Sequence, residues 1–171
     1  NPRTEEIIRN YYIMTGSQKP IHFYQRPKKL EGHDVPTNEL FIDMIEKLDL
    51  KSDYFFQTHT TNPLLNYQTI DRSIEKFMNL KEKKLNDSLF SVKELKTRLY
   101  KNNESLNKVD TVNHNINELI PTQDLEPLYE ENSCIYLFTR ETLMRKRHRI
   151  GDNPYMFKMD SIESQDIDYE S

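Results

Sequence analysis

The chain has 171 residues and a formal net charge of −4, with 35% of its residues hydrophobic and 30% charged. This acidic balance gives no broad attraction to nucleic acid or to an anionic membrane surface, and no apolar run approaches the ~18 residues of a membrane span, so we predict neither as a partner. Ten tyrosines and eight phenylalanines indicate a folded domain, since disordered chains are poor in aromatic residues.

The first fifty residues predict a helix, a strand and a second helix. Thr4 is placed to cap the first helix, which residues 15–20 end. Residues 21–25 are β-prone and stop before a proline, which predicts a short strand. Residues 35–48 predict the clearest helix, with Thr37 as its cap. Its expected apolar stripe consists of Leu40, Phe41, Met44, Ile45 and Leu48.

The rest of the chain predicts strands separated by helices and one polar excursion. The expected strands lie at residues 53–59, 88–92, 134–138 and 155–159, with a further candidate at 97–100. Expected helices are centred on Ile70, Ile74, Phe77 and Met78 and on residues 139–147. Residues 101–119 are polar and rich in asparagine, which indicates a long loop or an excursion. Alternating helices and strands through residue 80 favour an α/β sheet with covered faces.

Two aspartates lie one residue apart near the C-terminus, in the stretch SQDIDYES. In an extended segment Asp166 and Asp168 share one side, while Ile167 points into the body of the protein. Two like charges held this close repel unless a cation or water separates them. The residues alone leave both a solvated acidic tail and a Mg²⁺ site open.

Other polar residues allow both a binding and a structural interpretation. Asn132 precedes a buried strand and could contact a ligand or cap a turn. His59 lies at the end of a predicted strand, where open α/β sheets bind ligands, but it could equally be structural. The basic run at residues 145–149 could bind an anion or be a solvated face. Cys134, the single cysteine, is expected to be a packed thiol, and its isolation favours a reducing, cytoplasmic compartment.

Four blocks in register resemble the acylneuraminate cytidylyltransferases, enzymes that couple CTP to sialic-type (nonulosonic) keto acids. The first block is YQRPKKLEGHDVPTNEL, similar to the family's Arg-Pro block and the helix after it. The second is FFQTHTTNPLL, which looks like a strand followed by QPTSPLR. The third is DSLFSV followed by IPTQDLEPLYEENSCIYLF, and the fourth is the terminal SQDIDYES, similar to SIDIDTE.

The resemblance implies a fold and an assembly. The fold is a Rossmann-like nucleotide-diphospho-sugar transferase sheet with helices on both faces and a strand-rich dimerisation arm. Residues 1–171 would form a single nucleotidyltransferase-like domain that lacks the family's N-terminal basic phosphate loop, with residues 100–128 as the dimerisation excursion of a homodimer.

The resemblance also assigns residues. Asp166 and Asp168 would hold Mg²⁺ against the nucleotide phosphates and so act in catalysis. The nucleotide base would be contacted by Arg26, Val35 and Thr37. The substrate contacts would be His59, Thr61, Asn62, Lys96, Arg98, Gln123 and Asn132. Lys96 and Arg98 lie near the positions of basic residues that, in the family, reach the keto acid of the partner subunit.

Three departures from the family pattern leave the acceptor open. His59 stands where the family has a glutamine, Thr122 where an arginine often lies, and Ser133 where it has a glycine. An eight-carbon 3-deoxy-octulosonate is therefore an alternative acceptor. The absent phosphate loop favours a second alternative, a non-catalytic relative or fragment that acts as a dimeric binding module.

Overall fold

A computed structural model describes residues 2–32 and 34–167. The chain divides into two compact units, Asn1–Lys51 and Ser52–Ser171, which we call the N-terminal unit and the sheet unit. None of the helices in these described ranges combines the length and the apolar character that crossing a bilayer requires.

The N-terminal unit contains helices α1 (Pro2–Thr15) and α2 (Thr37–Lys47), with a 3₁₀ turn at Lys28–Leu30 between them. The predicted strand at residues 21–25 is wrong, because the described part of this unit offers no second strand to pair with it. Thr4 lies inside α1 rather than at its cap. Thr37 is the first residue of α2 and makes no capping hydrogen bond.

The buried face of α2 also differs from the predicted stripe. Ile45 is buried as predicted, but the other buried position is Ile42. Leu40, Phe41 and Met44 instead line a cavity that is described below. The predicted helix is therefore confirmed, but its buried face is rotated about the helix axis relative to the predicted stripe.

The sheet unit follows the predicted order of elements. It contains β1 (Tyr54–Thr58), α3 (Tyr67–Glu82), β2 (Ser88–Leu95), β3 (Tyr100–Asn103), β4 (Lys108–Thr111), β5 (Leu128–Thr139), α4 (Arg140–Lys146) and β6 (Pro154–Lys158). Part of the expected polar loop at residues 101–119 thus folds into a two-stranded sheet of β3 and β4.

The main sheet in the described residues has four strands in the order β1-β5-β2-β6. Strand β5 is antiparallel to both β1 and β2, whereas β2 pairs with β6 in parallel. The chain is therefore a mixed α/β protein, as predicted at the level of class. Residues 134–139 of β5 are buried without a break, which indicates that both faces of this central strand are covered.

The core forms around β5 and α3. A cluster of buried side chains is made by Phe77, Leu89, Cys134, Ile135, Leu137 and Met159. Phe77 also meets the Tyr54 ring edge-on, with centroids 6.1 Å apart. The predicted helix is confirmed as α3, whose buried face contains Thr69, Ser73, Phe77 and Leu80, whereas Ile74 and Met78 are partly exposed. Small hydroxyl side chains pack here because Ser73 donates its hydroxyl to the carbonyl of Ile70 at 2.7 Å.

Strand β5 carries an irregularity next to β2. Val92 pairs with Glu131 and Phe90 pairs with Tyr136, so β5 contributes more residues than β2 over this stretch. Ser133 has φ of 55°, in the left-handed region that favours glycine. The extra residues leave the ladder at this point, and their side chains are free to make other contacts.

A carboxylate at the start of β2 organises the turn before β6. Asp87 accepts hydrogen bonds from the backbone N–H groups of Asp152 at 2.6 Å and Asn153 at 3.2 Å. A Cβ atom added at Gly151 would overlap this carboxylate. The Gly151 N–H donates to the Ser88 hydroxyl at 2.8 Å, which fixes the turn against β2.

We predict that Lys84→Gly stabilises the protein. Lys84 follows α3 with φ of 55°, and the N–H of Leu85 donates to the Leu80 carbonyl at 3.0 Å, which is the hydrogen bond of a Schellman motif. Glycine removes the left-handed penalty but has a more flexible unfolded state, so we expect the free energy of unfolding to rise by about 0.5–1 kcal/mol. Lys84→Ala is the matched control, because alanine keeps the Cβ atom and should bring no such gain. Equal urea denaturation curves for the two variants would contradict the assignment.

Candidate functional site

A polar groove of about 290 Å³ lies in the sheet unit, beside the irregularity of β5. Its walls come from β2, β5 and the segment after β6. The lining residues are Lys93, Glu130, Glu131, Asn132, Ser133, Ser164, Gln165 and Asp166. Two residues that the sequence assigned to the site, Asn132 and Asp166, therefore lie in one groove.

Asn132 connects the three walls of this groove. Its Oδ1 accepts hydrogen bonds from the Ser91 hydroxyl at 2.5 Å and from the N–H of Cys134 at 3.2 Å. Its Nδ2 donates to the Ser164 hydroxyl at 3.0 Å and approaches the sulfur of Met159 at 3.8 Å. Since both ends of the amide are engaged by the protein, Asn132 shapes the groove before any ligand arrives.

The loop after β1 is hydrogen-bonded to the C-terminal segment. Asn62 Nδ2 donates to the carbonyl of Gln165 at 3.1 Å, and the N–H of Ile167 donates to the carbonyl of Thr61 at 2.9 Å. Asn62 is buried, and within the described residues its Oδ1 has no hydrogen-bond partner. These two bonds join positions about a hundred residues apart in the sequence and fix the backbone on either side of Asp166.

The predicted arrangement of the acidic pair is wrong in one respect. Ile167 is 57% exposed and does not point into the body of the protein. The backbone of this residue is held by the bond to Thr61, so the segment needs no apolar anchor. Asp166 is exposed at the groove. Asp168 lies outside the described residues, and the geometry of the pair is therefore not defined.

Three carboxylates line the groove, but the described residues do not bring them together as one set of metal ligands. Asp166, Glu130 and Glu131 supply carboxylate oxygens, which are the ligands that Mg²⁺ prefers. Within residues 2–32 and 34–167, no group of three or more histidine, cysteine or acidic side chains is arranged to hold a metal ion. A Mg²⁺ ion beside Asp166 would thus take other oxygens from Asp168, from water or from a ligand, which fits an ion that keeps several waters.

Cys134 is a packed thiol, as predicted. It is fully buried, and burial, reinforced by the negative charges of Glu163 and Asp166, raises the pKa of its thiol to about 11. The thiolate is the reactive form of cysteine, so this side chain is not a nucleophile near neutral pH.

His59 lies in a chain of polar contacts at the end of β1. Its Nε2 is 2.8 Å from Nε2 of Gln57, and Oε1 of Gln57 accepts a hydrogen bond from Nη1 of Arg149 at 3.1 Å. Arg149 stacks on the ring of Tyr136, with its guanidinium carbon 3.7 Å from the ring centroid. Burial, together with a hydrogen bond to Glu131, raises the pKa of the Tyr136 hydroxyl.

Three other expected residues meet at a different place. The ammonium of Lys96 donates to the main-chain carbonyl of Gln123 at 2.9 Å, and Arg98 donates to the carbonyl of Ile120. Both cations thereby hold the segment that carries Gln123. None of the three lines the groove at Asp166.

The residues expected at the nucleotide base lie in the N-terminal unit. Arg26 and Thr37 both line a cavity of about 580 Å³, whose apolar wall is formed by Leu40, Phe41 and Met44. Val35 is half-buried and does not line it. The structure therefore brings two of the three predicted residues, Arg26 and Thr37, to one cavity.

Several residues at the groove and around His59 were not predicted from the sequence. Gln57 is two residues before His59 on a strand, and this period of two was the available signal for a shared face. Arg149 was seen only as part of a basic run. Ser91 and Ser164 gave no signal, because their role depends on meeting Asn132 across the fold.

Comparison with models of known protein families found no family that matches this chain. A search of curated proteins likewise found no match.

We predict that Tyr24 ionises late in an alkaline titration. It lines the cavity of the N-terminal unit, and burial together with a hydrogen bond donated to Asp43 raises the pKa of its hydroxyl to about 12. A pKa above the ordinary value of ~10 means that the folded state holds this proton more tightly than the unfolded state. The contribution of Tyr24 to stability is therefore complete below pH ~10 and is lost as the pH rises towards 12.

The test compares tyrosinate absorbance between the wild type and Tyr24→Phe. The variant should lack one component that ionises near pH 12, and its unfolding free energy should fall less steeply in that window. Tyr67→Phe, at an exposed position, is the control. Loss of a component near pH 10 in Tyr24→Phe would contradict the assignment.

Proposed function

We propose that the protein is a cytidylyltransferase, or part of one, that couples CTP to a sialic-type keto acid. The observation that carries the proposal is the meeting of the loop at residues 59–62 with residues 165–167, through the bonds made by Asn62 and Ile167. Two blocks that separately resemble the family are hydrogen-bonded to each other there, and Asn132, from a third block, lines the same groove as Asp166.

The proposed reaction is attack of a keto-acid hydroxyl on the α-phosphorus of CTP, with pyrophosphate as the leaving group. Positioning and charge neutralisation dominate such transfers, and little covalent chemistry falls to the protein. Asp166 and Asp168 would hold Mg²⁺, which supplies neutralisation of the phosphate oxygens when bound. His59 and Thr61, in the loop beside Asp166, would contact the acceptor.

The basic and apolar sites have complementary roles in this proposal. The cavity of the N-terminal unit has an apolar wall that suits a flat base, and Arg26 supplies donors to the base edge. Lys96 and Arg98 would pair with the carboxylate of the partner's keto acid. To do so they must exchange their present carbonyl acceptors for that carboxylate, which forms stronger, charge-assisted bonds.

We predict that Asp166→Asn lowers turnover by on the order of 10²-fold, because it removes a charge that would neutralise the reacting phosphates through Mg²⁺. The measurement is CTP-dependent pyrophosphate release with a panel of nonulosonic acids and 3-deoxy-octulosonate, using protein expressed from the complete reading frame. Asp71→Asn is the matched control, since Asp71 is an exposed aspartate on α3. Equal rates for the two variants would exclude a role for Asp166.

Absence of pyrophosphate with every acceptor would overturn the proposal. Binding of CTP in that case, measured by calorimetry, would indicate the alternative of a binding module. The identity of the best acceptor in the panel would distinguish the nine-carbon from the eight-carbon class.

The hairpin of β3 and β4 supports the proposed homodimer. Large apolar side chains project into solvent from the hairpin and from the segment that follows it. These are Tyr100, Leu106, Val109, Val112, Ile116 and Leu119. A high density of exposed apolar groups on a short segment is typical of a surface that another protein covers.

We predict that the protein sediments as a dimer at micromolar concentration and that the double variant Ile116→Lys, Leu119→Lys sediments as a monomer. Dimer formation would bury the two lysine ammonium groups at the interface. The free energy needed to desolvate them favours the monomer. Leu85→Lys, at an exposed leucine outside the hairpin, should leave the dimer unchanged. A wild-type monomer would overturn this part of the proposal.

A further inference from the structure

The contacts around His59 determine which of its ring nitrogens can carry a proton. Nε2 of His59 is 2.8 Å from Nε2 of Gln57. Two nitrogens at this distance form a hydrogen bond only if one of them donates and the other accepts. Either the amide donates to the ring or the amide is turned and its oxygen accepts from the ring.

Arg149 decides between these orientations. Its Nη1 donates to Oε1 of Gln57 at 3.1 Å. Turning the amide would place the NH₂ group of Gln57 against the guanidinium, and arginine has no acceptor. Two donors would then face each other with no acceptor between them, which is unfavourable. The amide oxygen therefore stays on Arg149, and the NH₂ group of Gln57 faces His59.

Arg149 is itself held in place by β5. Its guanidinium lies 3.7 Å above the ring centroid of Tyr136, a residue that is almost completely buried. Tyr136 is the register partner of Gln57 across β1 and β5. The Tyr136 hydroxyl is hydrogen-bonded to Glu131, which lines the groove at Asp166. The sheet thus fixes both the arginine and the glutamine.

We propose that Arg149 and Gln57 are positioning residues that hold His59 as the neutral Nδ1–H tautomer. Nε2 must accept from Gln57, so the ring carries its proton on Nδ1. Within the described residues, Nδ1 has no hydrogen-bond partner of its own. His59 therefore offers a ligand one N–H donor and no acceptor, which selects ligand oxygens such as a hydroxyl or a carboxylate. The identity of that ligand rests on the proposed function, whereas the tautomer does not.

The tautomer can be measured directly in the protein without ligand. Long-range ¹H–¹⁵N correlation spectra distinguish a protonated ring nitrogen from an accepting one. The chain has five histidines, and the His59 signals are assigned by their loss in His59→Gln. We expect a protonated Nδ1 and an accepting Nε2 in the wild type. A protonated Nε2 on His59 would overturn the proposal.

Three variants separate positioning from mere structural support. Gln57→Glu replaces the amide donor by an acceptor, so the proton should move to Nε2. Arg149→Met frees the amide to turn, so His59 should show a mixture of tautomers. Arg149→Lys keeps a donor for Oε1 and should largely restore the wild-type spectrum. The signals of the other four histidines report whether each variant is folded.

The matched control is Arg145→Met. Arg145 is an exposed arginine on α4 that pairs with Asp152 at 2.7 Å and makes no contact with Gln57. Its loss should leave the His59 spectrum unchanged. An unchanged spectrum in Gln57→Glu as well would overturn the proposal, because the neighbour of Nε2 would then have no influence on the ring.

The activity assay tests the ligand separately. If the protein is the proposed enzyme, Gln57→Glu should lower kcat/KM about tenfold or more while Arg149→Lys retains most of it, since the donor at Nδ1 is lost only in the former. If the wild type releases no pyrophosphate, the proposed function fails while the spectra still decide the tautomer. If Gln57→Glu reverses the tautomer without lowering kcat/KM, the donor role of His59 towards the substrate is wrong.

Discussion

The amide of Asn132 joins three segments that are far apart in the sequence, namely β2 through Ser91, its own strand through Cys134, and the segment after β6 through Ser164. It can do so because β5 leaves its ladder with β2 at this point. In a regular strand, the same residues of β5 would have paired with β2. Replacing this amide by an apolar group would leave several polar partners unsatisfied, each at a cost of about 1–3 kcal/mol. The groove therefore depends on one side chain that a bulge makes available.

The charge of the groove constrains what can bind there. Asp166, Glu130 and Glu131 contribute negative charge, and Lys93 contributes the positive charge of the lining residues. A polyphosphate would be repelled by such a surface on its own. A divalent cation between the carboxylates and the phosphates would attract both groups and so offset this repulsion. An acidic groove is thus compatible with a nucleotide ligand when the cation is a shared partner of both.

Local patterns predicted most of the sheet unit from the sequence. Strands β1, β2 and β6 lie close to the apolar and aromatic runs that predicted them, and helix α4 lies within its predicted range. The strand predicted at residues 134–138 is only the C-terminal part of β5, which begins six residues earlier at Leu128. The errors share one physical origin, which is dependence on a distant partner. Residues 21–25 have a composition typical of a strand, but the described part of their unit contains no strand to pair with them, and the buried face of α2 includes Ile42 rather than the predicted stripe.

The candidate site was predictable as segments but not as a site. The segments containing His59, Asn132 and Asp166 were each predicted from the sequence to carry candidate site residues. Their meeting depends on the bonds of Asn62 and Ile167, which join residues about a hundred positions apart and have no local pattern. Gln57 and Arg149 were not singled out for the same reason, since the function of each depends on the other across the sheet.

Gly151 has a consequence for the position at which β6 begins. Its missing side chain allows Asp87 to bind the next two backbone N–H groups, and this contact sets the point at which β6 enters the sheet beside β2. A methyl group at residue 151 would occupy the space of the Asp87 carboxylate, so it would break the hydrogen bonds that anchor the residues just before β6.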